Sequence, residues 1–278
     1  MHTVTPGQIA LVLAAAACFA AAAGASLARV WWESNGPRLL SKSMAYFGLL
    51  AGIGVLVWHS HDRGTWVPLG DNFDTLVCLG LLLAGFVLYT QAYRPLRGLD
   101  WFLLPVVILL LLAAVLFGQT QPHEYVETTW SLVHRLTAYG GAAAFAVAGS
   151  AGLMYLIVNR RLRAKGRPPG PPAGLGSLER LEHLTLGAVA LGFGLLTIGA
   201  VTGLARILST PGDTSLGDRW YLNPKVLLAL GVWLVYAVVL HSPINPSFRG
   251  RRAAVLSVVG FVLMIGTIVA VQFVPSGR

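Results

Sequence analysis

The segment "GDRWYLNPKVLLALGVWLVYAVVLH" (residues 217–241) begins with charged and aromatic side chains and then runs apolar until a histidine. Pro224 suits the first turn of a helix, and Asn223 before it is a good N-cap. The apolar run therefore predicts a helix over 224–241, close to the length that crosses a bilayer. Its first turn carries Lys225, a cation at the positive end of the helix dipole, which is mildly unfavourable.

The composition indicates an integral membrane protein. Of the 278 residues, 55% are apolar and 11% are charged, against about 25% charged in a soluble domain. Cys18 and Cys78 both lie inside apolar runs and no CxxC is present. This pattern gives no basis for a disulfide framework, a zinc site or a thiol-exchange pair.

Long apolar runs recur along the whole chain. We therefore predict an all-α bundle of about eight transmembrane helices, forming a single polytopic membrane domain over residues 1–278. The predicted helices cover about 9–30, 43–59, 74–92, 101–118, 134–158, 184–205, 224–241 and 254–274.

The basic residues predict the orientation. "MHTVTPGQ" at the start has no Lys or Arg, whereas Arg29, Arg38 and Lys42 follow the first run. This is the reverse of a signal peptide, so we predict a retained helix with the N-terminus and the C-terminus outside. Most of the 20 basic residues then lie inside, which explains the net charge of +9 without nucleic acid.

A Pro/Gly-rich segment, "GRPPGPPAGLG", forms a predicted cytoplasmic linker over 164–177. It divides the sequence into a five-helix part and a three-helix part.

The predicted outer loops 59–74, 118–134 and 206–225 concentrate the polar chemistry. They contain Asp71, Asp74, Glu124, Glu127, Asp218, His59, His61, His123 and His134. We therefore expect a functional site on the extracytoplasmic side.

Four histidines stand at or beside predicted helix ends. His134 follows Trp130 by four residues, and two readings stay open for it: a ligand of a metal or haem iron, or an interfacial histidine beside an interfacial tryptophan. His59 and His61 are two apart, so at most one faces the bundle. His241 ends the seventh helix, about 24 Å along the axis from Lys225, and the two cannot hold one haem-sized ligand.

Glycines crowd the fifth and sixth predicted helices, and the sixth ends in a GxxxG formed by Gly199 and Gly203. Close helix packing is the usual meaning, and a surface for a flat cofactor is the alternative. No GxGxxG, P-loop, HExxH or Ser/His/Asp order is present, so no hydrolase or nucleotide-dependent enzyme is indicated.

The position of Lys225 has an explanation if the site binds an anion, because the ammonium and the helix N-terminus would then act together. Trp220 and Tyr221 add flat apolar surface beside it. Haem, which is planar and carries two propionates, fits this set. The alternative is that the two aromatic residues form an interfacial belt.

Four segments, taken in order, resemble the cytochrome c assembly proteins of the CcsA and HemX type, membrane proteins with a tryptophan-rich external haem-handling loop. They are "VPLGDNFDTL" (67–76), "WSLVHRLTAYGGAAAF" (130–145), the Leu-Glu motif with its Gly-rich helix (178–205), and "WYLNPKVLLALGVWLVYAVVLH" (220–241). The last resembles a loop usually written Trp-x-Trp-Asp-Pro-Lys-Glu.

The resemblance implies roles for single residues. His134 would be an axial haem ligand and His241 the inner-side histidine. The haem hypothesis itself adds Lys225 as the partner of a propionate and offers His59 or His61 as a second axial ligand. Trp130, Trp220, Tyr221 and Asn223 would complete the cofactor site. Leu222, Asn223 and Val226 depart from the family's loop, and the usual further external histidine is missing, so the chain resembles the short HemX-like branch.

These observations predict a non-catalytic protein of the plasma or inner membrane that binds b-type haem non-covalently in cytochrome c maturation. It would need a partner with thiol-reducing or ligating chemistry, because the chain has no CxxC. The alternative is a regulatory or scaffold protein of haem synthesis that binds no haem and docks a partner through its inner basic residues. A cytochrome b-like electron carrier ranks last, because no pairs of histidines occur at membrane depth.

Overall fold

The computed structural model describes residues 4–28, 35–64, 71–93, 96, 98–118, 129–163, 177–209, 220–241 and 250–273. Within these ranges the chain forms eight α-helices, one short 3₁₀ turn and no strand, so the predicted all-α class is confirmed. The helices are α1 (Pro6–Ala28), α2 (Asn35–Arg63), α3 (Asn72–Tyr93), α4 (Asp100–Phe117), α5 (Thr129–Arg163), α6 (Leu178–Ser209), α7 (Pro224–Leu240) and α8 (Arg251–Phe273).

Seven of these helices are long and apolar enough to cross a membrane, and α7 is a shorter apolar helix of 17 residues. Many large apolar side chains are exposed along them, among them Leu109, Leu191 and Val262. Such surface is expected where helices face lipid rather than water. The protein is therefore a multi-pass membrane protein, and the side on which each terminus lies stays a prediction.

Three helices extend far beyond the apolar runs that predicted them. The runs 43–59, 134–158 and 184–205 lie inside α2, α5 and α6, which continue into polar residues at both ends. Hydropathy marks the part of a helix that suits the bilayer core, whereas its hydrogen bonds continue beyond that part. Polar side chains at the helix ends are thereby held in regular positions.

The helices form two compact units. The first contains α1–α4 and the second contains α5–α8. The Pro/Gly segment follows the fifth helix in the sequence, but the compact units divide one helix earlier, because α5 packs on α6 and α8 and belongs to the second unit. Most of the predicted linker 164–177 lies outside the described residues, and the single membrane domain over 1–278 stays a prediction.

In the first unit, α3 is the most enclosed helix and packs against α2 and α4, while α1 packs against the same two helices. These helices approach one another closely where a glycine, which has no side chain, faces the neighbouring helix. Gly48 lies against the ring of Phe19, and Gly52 lies against Leu81. These contacts bring α2 onto α1 and α3.

In the second unit, α5 is the enclosed helix, and its small residues allow close packing on both sides. A Cβ at Gly149 would lie 2.5 Å from Phe261 of α8, and one at Gly152 would lie 2.9 Å from the carbonyl oxygen of Ala254. On the α6 side, Gly192 lies against the ring of Phe145.

Tyr236 joins three helices of the second unit. Its fully buried ring stacks on Phe145 of α5, with ring centroids 3.7 Å apart and planes 4° apart. Its hydroxyl donates a hydrogen bond to the carbonyl oxygen of Ser257 in α8, at 3.2 Å. Gly260 provides the space for the ring, since a Cβ there would lie 2.7 Å from Tyr236 Cζ. The ring therefore fixes α7 against α5 and α8.

We expect Tyr236→Ala to destabilise the protein by about 3 kcal/mol or more, because it leaves a cavity where three helices meet. Tyr236→Phe keeps the ring and loses one hydrogen bond, a cost of about 1 kcal/mol. Midpoints of thermal denaturation in detergent measure both. Equal midpoints for Tyr236→Ala and the wild type would contradict this account of the packing.

Candidate functional site

The start of α7 is organised by Asn223. Its side-chain Oδ1 accepts a hydrogen bond from the backbone N–H of Lys225 at 3.0 Å, and Pro224 occupies the first helical position. The predicted N-cap is thus confirmed. A 3₁₀ turn, Trp220–Leu222, leads into it, with the Tyr221 side chain 54% exposed. Lys225 itself is half-buried, and the Trp220 side chain lies outside what the structure describes.

His134 lies near the start of α5, against α6. Its Nδ1 is 2.7 Å from the carbonyl oxygen of Gly199. Because a carbonyl oxygen only accepts, Nδ1 carries the proton and donates, so in the neutral ring the basic nitrogen is Nε2. Trp130, one turn earlier, is 50% exposed.

His134 and Lys225 belong to the same end of the second unit. In α7, Trp233 donates a hydrogen bond to Thr197 at 3.1 Å, whereas Tyr236 stacks on Phe145. Phe145 in turn lies against α6 at Gly192, so α7 runs antiparallel to α6 and parallel to α5.

Lys225 therefore lies about 12 Å beyond Trp233, toward the end where His134 contacts Gly199. The start of α5, the end of α6 and the start of α7 form what we call the H-K end of the second unit.

His241 lies at the other end of α7. It is exposed, and its Nδ1 donates to the carbonyl oxygen of Ala237, four residues earlier in the same helix, at 2.7 Å. The 17-residue helix separates it from Lys225, which agrees with the expectation that the two cannot share one ligand.

The first unit carries a second polar cluster at one end, centred on His59. Its Nε2 is 3.0 Å from Asp71 Oδ2, and its Nδ1 is 3.3 Å from Oε1 of Gln8. Arg63 pairs with both Asp71 and Asp74. We call these five residues the His59 cluster.

The charge of Asp71 is compensated within the His59 cluster. Burial raises the pKa of Asp71, but hydrogen bonds from His59 and the Asp74 N–H, together with the Arg63 charge, outweigh it and bring the pKa below its usual 3.8. Ligand atoms of His59, Asp71 and Asp74 lie within 4.8 Å of one another, a spacing that suits a metal ion. The Arg63 guanidinium already provides the positive charge there, so we interpret the cluster as an ion-pair network.

Of the two neighbouring histidines, His59 is 1% exposed and the His61 side chain is 81% exposed. Both ring nitrogens of His59 are within hydrogen-bonding distance of side chains, so iron ligation would require it to give up Asp71 or Gln8. This arrangement argues against His59 as a second axial ligand. His61 stays a prediction in that role.

The His59 cluster was missed from the sequence, although part of it was readable. "TPGQ" is a capping box in which Thr5 and Gln8 exchange side-chain and backbone hydrogen bonds at 3.0 and 3.3 Å. Asp71 caps α3 in a similar way, accepting from the Asp74 N–H at 2.7 Å. Both caps mark helix starts, but neither indicates that the two starts meet around His59.

Comparison with known proteins identifies the family of this chain. The cytochrome c assembly protein family matches residues 72–277. The chain belongs to the cytochrome c assembly protein family. No solved structure matches it.

Three relatives named "Cytochrome c biogenesis protein CcsA" match along most of their length. The one from Porphyra purpurea is 24% identical over an alignment of 296 positions, which covers 89% of this chain and 90% of that protein. Those from Mesostigma viride and Thermosynechococcus vestitus are 21% and 26% identical and cover 76% and 72% of this chain. The HemX-like branch stays a prediction.

The region matched by the cytochrome c assembly family contains the whole H-K end and His241, whereas His59 and Gln8 precede it. Family membership is therefore an argument about the second unit more than about the His59 cluster.

We expect His59→Ala and His61→Ala to differ sharply, although the residues are two apart. His59→Ala removes the hydrogen bond to Asp71 and leaves a cavity at a fully buried position, so it should cost about 2 kcal/mol or more. His61→Ala changes an exposed side chain and should stay within about 0.5 kcal/mol. Thermal midpoints of the haem-free protein in detergent test this, and similar losses in both variants would contradict it.

Proposed function

We propose that the protein handles haem in cytochrome c maturation and holds it non-covalently at the H-K end of the second unit. The observation that carries the proposal is the hydrogen bond from His134 Nδ1 to the Gly199 carbonyl oxygen. Histidines that ligate metals commonly donate their other ring N–H to such an acceptor, which fixes the tautomer and increases ligand basicity. Family membership and the name of the relatives support the same role.

The residues at the H-K end fit the chemistry of haem. Nε2 of His134 is the nitrogen that would bind the iron. Lys225 brings a cation to a helix start, where a propionate would be favourable both to the ammonium and to the helix dipole. The half-exposed Tyr221 offers a flat surface beside it. Bound haem supplies the cytochrome's prosthetic group, and these side chains bind and orient it.

This end provides one histidine in the described part of the second unit. The other two histidines described there, His183 and His241, lie near the start of α6 and at the end of α7, which is the opposite end. We therefore propose one protein axial ligand from this unit, which leaves the second position to another group. Such a site suits transient holding of haem before it passes to a partner.

The site would face the extracytoplasmic side of the plasma or inner membrane, which the basic residues favour. A partner would provide the thiol-reducing or ligating chemistry, because the chain contains only Cys18 and Cys78 and no CxxC.

A regulatory or scaffold role without haem is the second candidate, and the single histidine at the H-K end favours it. In that role the basic connection between α5 and α6 would be the active element. Deleting "RPPGPPAG" (167–174) should then abolish the cellular phenotype while His134→Ala leaves it intact. Haem handling predicts the opposite pattern.

The test of haem handling is titration of the purified, detergent-solubilised protein with haem. We expect wild-type protein to develop the Soret band of histidine-ligated haem and His134→Ala to lose it. His183→Ala is the matched control, because that exposed histidine lies at the opposite end, and it should behave as the wild type. No Soret change in the wild type would end the proposal.

A second prediction separates Lys225 from its neighbour Asn223. Lys225→Leu removes a charge-assisted contact worth about 1.5–3 kcal/mol, so haem affinity should fall by about one to two orders of magnitude. The stability of the haem-free protein should hold or rise, since a cation leaves a helix start.

Asn223→Ala should instead cost about 1 kcal/mol of stability with or without haem, because it removes the cap. Equal haem affinity in wild type and Lys225→Leu would assign the lysine to the membrane interface only.

A further inference from the structure

The GxxxG of α6 faces a histidine in this structure. Gly199 and Gly203 are one turn apart, so they share a face of the helix. The carbonyl oxygen of Gly199 accepts from His134, and a Cβ on Gly203 would lie 3.0 Å from both Cε1 and Nδ1 of the same ring. The imidazole therefore lies where a side chain at 203 would otherwise be.

The contact is both steric and polar, which distinguishes it from ordinary close packing. The Gly199 carbonyl oxygen also accepts from the Thr202 hydroxyl at 3.1 Å, so this acceptor is a fixed point of the local network. A ring displaced by a few tenths of an ångström would lengthen the bond from Nδ1, which at 2.7 Å is short for an N–H···O hydrogen bond.

We propose that Gly203 is a positioning residue for the haem ligand. Lacking a Cβ, it lets His134 approach α6 closely enough to donate from Nδ1 to the Gly199 carbonyl oxygen, and so it assigns Nε2 as the nitrogen that binds iron. The inference rests on the proposed function for its consequence in haem binding, while its structural part concerns the haem-free protein. The close approach of His134 requires only the space that the missing Cβ leaves at residue 203, and no hydrophobic attraction.

Other glycines of α6 provide matched controls. Around Gly187 and Gly194 a Cβ would meet nothing within 4 Å, so Gly194→Ala adds the same methyl group on the same helix without a contact. Gly192→Ala is the packing control, because its Cβ would lie 2.6 Å from the Phe145 ring and far from His134. Alanine is a better helix former than glycine, so Gly203→Ala need not lower stability even where it displaces the ring.

The first experiment reads the tautomer of His134 in the full-length, haem-free protein. Histidine labelled with ¹⁵N in detergent micelles, at a pH where the ring is neutral, gives separate signals for protonated and unprotonated nitrogens. His134→Ala identifies the signal by its loss. We expect the Nδ1–H form in the wild type, in Gly194→Ala and in Gly192→Ala, and a loss of that preference in Gly203→Ala.

The second experiment measures haem affinity by titration in the same variants. Because loss of a partner that orients a ligand typically costs a factor of 10 to 100 in metal affinity, we expect a decrease of about that size in Gly203→Ala. Gly194→Ala should match the wild type. Gly192→Ala should lower the thermal midpoint without changing the affinity of the folded protein.

The outcomes separate the two proposals. A wild-type Nε2–H tautomer, or an unchanged tautomer in Gly203→Ala, overturns the positioning role whether or not haem binds. A changed tautomer with unchanged haem affinity also overturns it, because the ligand then needs no orientation. If the wild type binds no haem, the proposed function fails, and the positioning role for a haem ligand fails with it, even where the tautomer shift is seen.

Discussion

Close packing of α5 on α6 is the contact on which the second unit depends. Lipid removes the hydrophobic drive for helices to associate, so packing and a few hydrogen bonds must hold them together. A Cβ on Gly141 would lie 3.3 Å from the carbonyl oxygen of Gly192, and Gly192 in turn meets the Phe145 ring. Small residues let the backbones approach, and that approach determines which side chains fit at the end of the interface.

The candidate haem ligand is a product of the same interface. Near the middle of the α5–α6 contact the Phe145 ring packs against Gly192, and at its end the His134 imidazole packs against Gly203. The position of His134 is therefore set by two helices, not by a loop. A ligand fixed in this way keeps one tautomer, which suits a site that binds haem and passes it on.

The two units use polar residues differently. In the first unit, both acids of the buried His59 cluster pair with Arg63, and the cluster ties together the start of α1, the end of α2 and the start of α3. At the H-K end of the second unit, Lys225 and Tyr221 are half-buried or exposed. Removing one partner of a buried pair leaves an uncompensated buried charge, whereas an accessible charge can pair with a ligand.

Local patterns in the sequence predicted much of the fold. The apolar runs gave the helices because only a helix satisfies its backbone in lipid, and Asn-Pro gave the start of α7 because capping is a contact between close neighbours. Contacts distant in sequence were not predictable. Nothing in the sequence near His59 identifies Gln8, 51 residues away, as its partner. Likewise, nothing near Gly203 identifies His134 as the ring that packs against it.

The packing of α5 in the second unit could not be predicted for the same reason, since the Pro/Gly segment indicates a break in the sequence but not which helices pack together. The histidines at helix ends could be proposed as candidates from the sequence, but their surroundings, which distinguish a residue of an ion-pair network from a candidate ligand, required the structure.

The measurement that tests the central claim most directly is resonance Raman spectroscopy of the reduced, haem-loaded protein. The account predicts an iron–histidine stretching band that shifts when histidine carries ¹⁵N, disappears in His134→Ala and persists in His241→Ala. An iron–histidine band that survives the loss of His134 would contradict the account, because the haem would then be held by another residue.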